Sequence, residues 1–367
     1  MNNIARATNF YLDKNILITG HTGFIGSWLT KVLLMNGAKI LGYSLDPPTE
    51  PNLYNVLDIG EKIVDVRGDI RDRQKISRIV SEFEPEIVFH FAAQPIVLDS
   101  YNDPTETFET NIMGTVNLLK SVQRVGATKT IIVMTSDKVY KNNDKSDPFR
   151  ETDPLGGKDP YSSSKSCQDI IVSSFRESYF LDSGVGISSI RAGNIIGGGD
   201  WGNRRIVPDL VKGITENKVI RIRNPDSIRP WQYVLDVVFG LLELTDKMKK
   251  PRVYSGEWNF GPGAGLNPTV KELSDLLINY WGNGKYIIER DKAGLESTRL
   301  ELDTSKVKFF LNYHPILPIK ESIKETVQWY KEFYLNRENI KQFTEKIIKE
   351  YAARALLQPK VGNYEIE

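Results

Sequence analysis

Residues 15–36 read NILITGHTGFIGSWLTKVLLMN, in which an apolar run, a glycine turn and an amphipathic stretch follow one another directly. The β-branched run Asn15–Thr19 predicts a buried parallel strand. Apolar residues then recur at helical spacing from Ser27 to Asn36, and Gly37 ends the pattern. A strand, a tight turn and a helix in this order are typical of the first unit of a doubly wound α/β sheet.

The turn in this stretch carries three glycines, Gly20, Gly23 and Gly26, each three residues from the next. Such a turn lets the backbone approach a pyrophosphate closely and directs helix-terminal N–H groups at it, so it predicts a dinucleotide site. A carboxylate about 20 residues further on is expected to bind the ribose. Asp46 has that place, although Ser44 could occupy the strand end instead. No arginine stands in the turn to bind a 2′-phosphate, which favours NAD over NADP.

Strand and helix patterns continue to alternate through the first half of the chain and become less regular after Asn194. We therefore predict an α/β fold, a Rossmann-type doubly wound parallel sheet with a smaller C-terminal α/β substrate lobe. The further strands are expected at residues 39–44, 62–67, 86–91, 130–135 and 185–191, with long helices at 105–125 and 161–181. The expected domains are an NAD-binding domain at 1–193, to which the chain returns around 230–250, a mainly substrate-binding lobe at 194–340, and a helical extension or tail at 341–367.

Composition narrows the possible functions. The 367 residues include 48 Lys+Arg and 47 Asp+Glu, a net charge of +1, which argues against nucleic acid as a partner. No apolar run reaches the roughly 18 residues that a membrane span needs. The first 15 residues lack an apolar signal core, and Cys167 is the only cysteine, so a cytoplasmic location is expected. Three scattered histidines, at 21, 90 and 314, predict no metal site.

A second pattern is YSSSK at residues 161–165. Residues four apart on a helix share a face, which places Tyr161 beside Lys165. An ammonium group next to a phenol lowers the pKa of the phenol, and the phenolate can then take a proton from a sugar hydroxyl while hydride leaves the carbon. Tyr-x-x-x-Lys is common by chance. It gains weight here because it follows a dinucleotide turn and the segment Thr135–Lys138 at the end of a predicted strand.

Several motifs between residue 15 and about residue 240 together resemble the extended short-chain dehydrogenases/reductases of nucleotide sugars, and more narrowly the CDP-glucose 4,6-dehydratases. The most specific are the Asp137-Lys138 pair, GGGDW and RPWQ. The motifs are GHTGFIGSW at 20–28, AAQP at 92–95, NIMGT at 111–115, TSDKVY at 135–140, DPY at 159–161, RAGNIIGGGDW at 191–201 and RPWQ at 229–232.

The resemblance implies a lyase that uses NAD to oxidise C4 of a nucleoside-diphosphate hexose, loses water across C5–C6 and returns the hydride to C6. Tyr161 would be the base for the 4-hydroxyl, with Lys165 tuning it and holding the nicotinamide ribose, and Ser136 would bind the same hydroxyl. Asp137 would protonate the departing C6 hydroxyl, which requires a raised pKa. Lys138 is either the base that removes the C5 proton or a charged anchor. An epimerase would not need the Asp137-Lys138 pair.

The remaining contacts are expected at strand ends and in the lobe. Asp69 could bind the adenine amino group or, equally well, cap the next helix. The expected cofactor contacts are Gly20, Thr22, Gly23, Phe24, Ile25, Gly26, Ser44, Asp46, Asp69, Ile70, Phe91, Ala92, Ala93, Thr110, Tyr161 and Lys165. The expected substrate contacts are Gln94, Ser100, Asn194, Arg204, Arg229, Gln232 and Tyr233, whereas Arg205 could equally be a solvated surface side chain. The chain departs from the family pattern at Ile25, where lysine is common, at Leu98-Asp99, where a basic residue is common, and at Tyr233, where histidine is expected.

Other functions stay open. Within the same fold the chain could dehydrate another nucleotide hexose or act as a 4-epimerase. A net-redox dehydrogenase or a non-catalytic dinucleotide-binding module are further alternatives, and the Tyr161/Lys165 pair disfavours the latter. The resemblance also implies a homo-oligomer, a dimer or a tetramer, that pairs through the two long helices at 105–125 and 161–181.

Overall fold

The computed structural model describes residues 8–142, 147–263, 267–289 and 300–357. Its centre is a seven-stranded sheet of order β3-β2-β1-β4-β5-β6-β10, in which every neighbouring pair is parallel. This order confirms the predicted doubly wound parallel sheet. The strands are β1 Asn15–Thr19, β2 Lys39–Ser44, β3 Val64–Arg67, β4 Ile87–His90, β5 Thr130–Met134, β6 Gly186–Ala192, β7 Ile195–Ile196, β8 Ile220–Ile222, β9 Gln232–Tyr233, β10 Gly256–Phe260 and β11 Tyr286–Ile288.

Hydrophobic residues cover both faces of this sheet. Ile16 and Ile18 of β1 belong to one buried cluster and Leu17 to another, as expected for a strand that has packing on both sides. The helices are α1 Thr8–Tyr11, α2 Phe24–Met35, α3 Leu53–Val56, α4 Arg73–Phe83, α5 Val97–Asn102, α6 Pro104–Phe108, α7 Gly114–Val125, α8 Pro160–Phe175, α9 Ile206–Thr215, α10 Val234–Lys247, α11 Pro251–Tyr254, α12 Val270–Trp281, α13 Ser305–Leu311, α14 Ile319–Leu335 and α15 Ile340–Leu357. Short 3₁₀ turns lie at Gly60–Lys62, Asp137–Val139 and Arg337–Asn339.

The two long predicted helices are present but not regular. A wider π-type turn, Glu109–Met113, joins α6 to α7, and another, Arg176–Phe180, continues α8. Such turns insert an extra residue into the helical ladder and are frequent at functional sites. None of the helices in the described ranges is long and apolar enough to cross a membrane.

The expected return of the chain to the first domain extends further than residue 250. Strand β10 pairs with β6 and forms the edge of the main sheet, so the chain stays in the first domain through Phe260. The sequence pattern did not assign β10 to the main sheet, because the alternation of its residues resembles that of a strand in the smaller lobe. The smaller lobe contains α9 and α12, which contact each other, and the two-stranded parallel sheet of β8 and β11.

The last helices pack on the main core. Within α15, Ile347, Ile348 and Tyr351 are buried, and the Trp329 indole of α14 donates a hydrogen bond to Thr344 (2.9 Å). The predicted helical extension at 341–367 is thus present as α15, and one apolar face of this helix covers the sheet domain. Residues 358–367 of the predicted tail lie outside the described part of the chain.

Candidate active site

The candidate residues meet at one edge of the main sheet. The glycine turn follows β1, the segment 91–94 follows β4, Thr135–Lys138 follows β5, and Gly193-Asn194 follows β6. The strand order reverses between β1 and β4, which lie side by side although β2 and β3 come between them in sequence. The crevice at such a reversal, outside the carboxyl ends of the strands, is where doubly wound sheets bind ligands.

The three turn glycines have different surroundings. A Cβ at Gly20 (φ 78°) would lie 2.7 Å from the Ala92 nitrogen, and one at Gly26 would lie 2.2 Å from the Gly20 oxygen. Gly20 and Gly26 are therefore needed for close backbone packing. The nearest atom to a Cβ at Gly23 would be 3.4 Å away, and α2 begins at Phe24 without a side-chain cap. The uncapped N–H groups of this turn suit an anion such as a diphosphate.

The end of β2 distinguishes the two ribose candidates. The Ser44 hydroxyl is buried and lies 2.8 Å from that of Thr22, which joins the strand end to the glycine turn. The Asp46 side chain is 89% exposed and faces Arg67 at 3.6 Å. Ser44 thus occupies the strand end, while Asp46 lies exposed two residues beyond it.

Asp69 follows β3 and is held by its neighbour. Its carboxylate accepts hydrogen bonds from the backbone N–H and guanidinium of Arg71, and the pKa of Asp69 is lowered by these bonds. Asp72, not Asp69, caps α4 by accepting from Lys75 N (3.0 Å). The N-cap alternative for Asp69 is therefore wrong. Next to it Ile70 is buried against Gly114 of α7, where a Cβ would meet it at 2.5 Å.

Asn111 supports the wall that follows β4, a role that sequence reasoning missed. Its side chain accepts from Gln94 N (2.8 Å) and donates to Gln94 O (3.1 Å) and to the Ser164 hydroxyl of α8 (2.8 Å). Asn111 is fully buried and lies in the π-type turn, beside the expected cofactor contact Thr110. Its position in the motif NIMGT was the available signal. Phe91, Ala92 and Ala93 are half-buried along the same wall.

The short 3₁₀ turn after β5 presents the predicted acid. Asp137 is 2% exposed, and burial raises its pKa, as the proposed acid role requires. The Ser136 hydroxyl donates to Asp137 Oδ1 (3.1 Å) and accepts from Lys138 N (3.1 Å). The positive charges of Lys138 and Arg229 partly oppose the rise in the Asp137 pKa. Buried Asp137 Oδ2 has no hydrogen-bond partner within the described ranges.

Gly193 is a second residue that the sequence did not single out. A Cβ there would lie 2.1 Å from both Cγ and Oδ2 of Asp137, so only glycine leaves room for the carboxyl group in this position. The two residues are far apart in sequence and meet because β5 and β6 are neighbours in the sheet.

Tyr161 is the second residue of α8 and is buried near Ser136 and Asp137. Burial raises the pKa of Tyr161 to about 12, and the nearby Ser136 side chain and the charge of Arg205 counteract the rise. Arg205 also pairs with Asp200 (3.0 Å). The Arg205 side chain is 38% exposed, so this residue reaches the surface while its charge lies close enough to counteract the raised pKa of Tyr161.

Lys165 is held by two protein acceptors. Its ammonium donates to Met134 O (3.1 Å) and to Gln168 Oε1 (2.8 Å), and burial lowers its pKa to about 7. These contacts fix the position of the ammonium one helical turn after Tyr161. Its tuning of the phenol stays a prediction.

Three of the expected substrate residues have structural partners. Ser100 accepts from Tyr161 N (3.1 Å) and so fixes the start of α8. The Gln232 amide donates to Gly193 O and Phe260 O, which joins the strands near the site. Tyr233 is fully buried and its ring packs against Tyr351 of α15, so in this conformation it belongs to the hydrophobic core, and its contact with substrate stays a prediction.

Of the other four, Gln94 belongs to the wall after β4 described above, and Arg229, Arg204 and Asn194 remain close to the crevice. Arg229 is buried near Asp137. Arg204 has a positive φ of 63° and pairs with Asp99 of α5 (2.7 Å). Asn194 (φ 49°) follows β6 directly, and its carbonyl accepts from Gln232 N (3.3 Å). No set of three potential metal ligands is found among the residues that the structure describes.

Comparison with known proteins agrees with this architecture. The family model described as GDP-mannose 4,6 dehydratase matches residues 17–326. A CDP-glucose 4,6-dehydratase of Salmonella typhimurium is 42% identical over 330 residues, which are 88% of this chain and 92% of that protein.

Two solved structures extend the comparison. UDP-glucose 4-epimerase of Thermotoga maritima, solved with UDP-glucose, is 26% identical with a TM-score of 0.76 and covers 87% of this chain and 99% of its own. dTDP-glucose 4,6-dehydratase of Bacillus anthracis, in complex with NAD, is 25% identical with a TM-score of 0.73 and covers 87% and 97%. Similarity thus extends over most of both chains in each case.

Proposed function

The chain belongs to the GDP-mannose 4,6-dehydratase family, and from this membership we propose that it converts CDP-glucose to CDP-4-keto-6-deoxyglucose with NAD as its cofactor. It is a nucleotide-sugar 4,6-dehydratase, a hydro-lyase of the extended short-chain dehydrogenase/reductase type. The choice of CDP-glucose rests on the Salmonella relative, which bears that name and is 42% identical.

The geometry of the glycine turn supports NAD. Gly23 and the uncapped start of α2 would bind the pyrophosphate, and Ser44 or Asp46 would bind the adenosine ribose. Asp69 and Ile70 border the adenine position, and Phe91 to Ala93 with Thr110 line the opposite wall. When bound, NAD⁺ accepts a hydride from the sugar and later gives it back.

Tyr161 is the proposed base for the 4-hydroxyl. Because the pKa of the Tyr161 phenol is high in this structure, nearby groups must help the phenol to lose its proton. The Ser136 side chain lies nearby, Arg205 supplies a positive charge, and Lys165 has one N–H left after its two protein acceptors. We propose that this remaining N–H binds the nicotinamide ribose next to the phenol.

The buried carboxyl group of Asp137, at the end of β5, is the observation that carries the dehydratase proposal. Burial raises the pKa of the Asp137 carboxyl group and so favours its protonated form, which can deliver a proton to the leaving C6 hydroxyl. Lys138 stands beside it in sequence, and its charge opposes the raised pKa of Asp137. That coupling supports the anchor role, while a role as the C5 base requires the lysine to be neutral.

The proposed substrate contacts are chosen by the charge of each side chain and by its position relative to the strand ends. Arg229 and Arg204 are the proposed contacts of the substrate diphosphate, because guanidinium groups match phosphate oxygens in pairs. Gln94 and Asn194, which follow β4 and β6, would contact the sugar. Ser100 and Gln232 act behind this layer, by holding Tyr161 and Gly193.

Product mass spectrometry tests the function. The protein is incubated with NAD⁺ and, separately, with CDP-glucose, dTDP-glucose, GDP-mannose and UDP-glucose. Loss of one water from CDP-glucose without net NADH is the expected result. Loss of water from a different sugar nucleotide would correct the substrate, and an isomer of unchanged mass would favour an epimerase.

The role of Lys138 needs a separate experiment. In deuterated solvent, Lys138→Ala is expected to stop deuterium incorporation at C5 if the lysine is the base, while C4 oxidation continues. Retained exchange at C5 would leave the anchor role. Tyr161→Phe is the comparison variant, because it should slow the oxidation step itself.

We also propose that the chain forms a homo-oligomer through α6–α7 and α8. These helices expose apolar side chains that a second copy would cover. The residues are Phe108, Met113, Ile170 and Tyr179. The expected cytoplasmic location stays a prediction.

A further inference from the structure

A continuous chain of buried hydrogen bonds leads from the glycine turn to Lys165. His90 of β4 contacts the hydroxyl of Thr19 through Nδ1 (2.7 Å) and that of Thr115 through Nε2 (3.0 Å). The Gln168 amide nitrogen donates to the Thr115 hydroxyl (2.8 Å), and Gln168 Oε1 accepts from Lys165 Nζ (2.8 Å). All five side chains are buried, with Gln168 only 1% exposed.

The available protons fix the direction of every bond in this chain. The Thr115 hydroxyl has one proton, and the 2.7 Å contact to the carbonyl of Asn111 uses it. Both other contacts must therefore donate to Thr115, so His90 carries its proton on Nε2 and Gln168 presents its NH₂ group. His90 Nδ1 then accepts from Thr19. The amide oxygen of Gln168 is left to face the lysine.

Reversing the amide would be unfavourable at both ends. Gln168 Oε1 would face a hydroxyl oxygen without a free proton, and the NH₂ group would face an ammonium. An unpaired buried polar group costs about 1–3 kcal/mol, so the network holds Gln168 in one orientation. His90 stays neutral in this arrangement, since burial lowers its pKa to about 3.

We propose that Gln168 is a positioning residue of the catalytic site, whose amide oxygen, oriented by Thr115 and His90, holds the Lys165 ammonium in place for the cofactor and for Tyr161. With Met134 O, it takes two of the three N–H groups and leaves one for the crevice. The proposal rests on the proposed roles of Tyr161 and Lys165. Neither the Tyr-x-x-x-Lys spacing nor the composition points to residue 168.

None of the other ionisable side chains described near Lys165 accepts a hydrogen bond from its ammonium. His90 is neutral and its pKa responds to the charge of Lys165. On the same helix, Tyr161 lies one turn before the lysine and Asp169 one turn after it. Asp169 is paired with Arg191 of β6 through both carboxylate oxygens (2.8 and 2.9 Å). Gln168 is therefore the side chain that accepts directly from the ammonium.

The titration of Lys165 tests the proposal without any sugar. The full chain is labelled with ¹³C-lysine, the Lys165 signal is assigned by its loss in Lys165→Arg, and its pKa is read from the ¹³Cε shift with and without NAD⁺. Gln168→Leu should lower this pKa by about one pH unit, because the ammonium loses an acceptor. Gln168→Glu should raise it by a similar amount, because a carboxylate favours the charged form.

The chain offers a closely matched control. On α7, Lys120 donates to Gln123 Oε1 (3.0 Å), the same three-residue spacing outside the network. Gln123→Leu should leave the Lys165 titration and the turnover unchanged. Gln168→Leu should lower kcat for CDP-glucose by about tenfold, the loss of one hydrogen bond to a charged group, with KM within about twofold.

The outcomes separate this proposal from the proposed function. An unmoved Lys165 titration in both Gln168 variants overturns the positioning role, even if kcat falls. Should Gln168→Leu not fold, the upward shift in Gln168→Glu decides alone, and its absence counts against the proposal. If the parent does not turn over CDP-glucose, the proposed substrate is wrong. A lower Lys165 pKa in Gln168→Leu and a higher one in Gln168→Glu would still support the role of Gln168.

Discussion

Asp236 should make the stability of this protein depend on pH in a narrow acidic range. The carboxyl group of this α10 residue is 2% exposed, and its Oδ1 accepts from Ile316 N (2.7 Å) and from the Tyr351 hydroxyl of α15. Burial raises the pKa of Asp236 from an ordinary 3.8 to about 6. The folded protein therefore keeps a proton on Asp236 that the unfolded chain releases at lower pH.

The sign and size of the effect follow from this difference. A carboxyl group with a raised folded-state pKa contributes its stability below the unfolded pKa, and the contribution is lost as pH rises through the folded value. The shift of about two units corresponds to about 3 kcal/mol, lost between about pH 4 and pH 6.

Urea unfolding followed by tryptophan fluorescence measures this contribution. Asp236→Asn cannot ionise, so the free energy of unfolding of the parent minus that of the variant should fall by about 2 kcal/mol from pH 4 to pH 6.5, the part of the total effect that lies in this range. The subtraction removes the other titrating groups, which both proteins share. A difference that stays constant across this range would refute the reasoning, because Asp236 would then have the same pKa in both states.

Three further predictions concern the site and the assembly. Gly193→Ala should displace the Asp137 carboxyl and slow water loss by about 100-fold while C4 oxidation, seen as transient NADH, persists; parental turnover would contradict the close contact. Asp169→Asn leaves Arg191 buried without its bidentate partner and should lower the free energy of unfolding by roughly 3–5 kcal/mol, as measured with urea. An unchanged urea midpoint would contradict this prediction. Light scattering at micromolar concentration should show a dimer or tetramer, and a single 41.7 kDa species would rule out the proposed assembly.

Local sequence patterns were sufficient to predict most of the fold. The strand, glycine turn and helix at 15–35, the long helices and most strand positions could be predicted, because strand and helix periodicity are properties of a few consecutive residues. The π-type turns and strand β10 were not predicted, since neither leaves a local signal that differs from an ordinary helix or a lobe strand.

The same distinction holds within the site. Short motifs and the family resemblance were enough to propose Ser136, Asp137 and Tyr161 as site residues, and the structure brings these three close together. The motif that contains Tyr233 does not show that α15 covers its ring, because that contact depends on a helix more than 100 residues further along the chain.

The sequence by itself determined the order of strands and helices, the cofactor turn and the residue types at the strand ends. The tertiary structure alone decided that Gly193 makes room for Asp137, that Arg205 pairs with Asp200, and that Met134 O and Gln168 accept from the Lys165 ammonium. These are contacts whose energy depends on distance, burial and the direction of a hydrogen bond. Such quantities exist only after parallel strands that are far apart in the chain lie side by side.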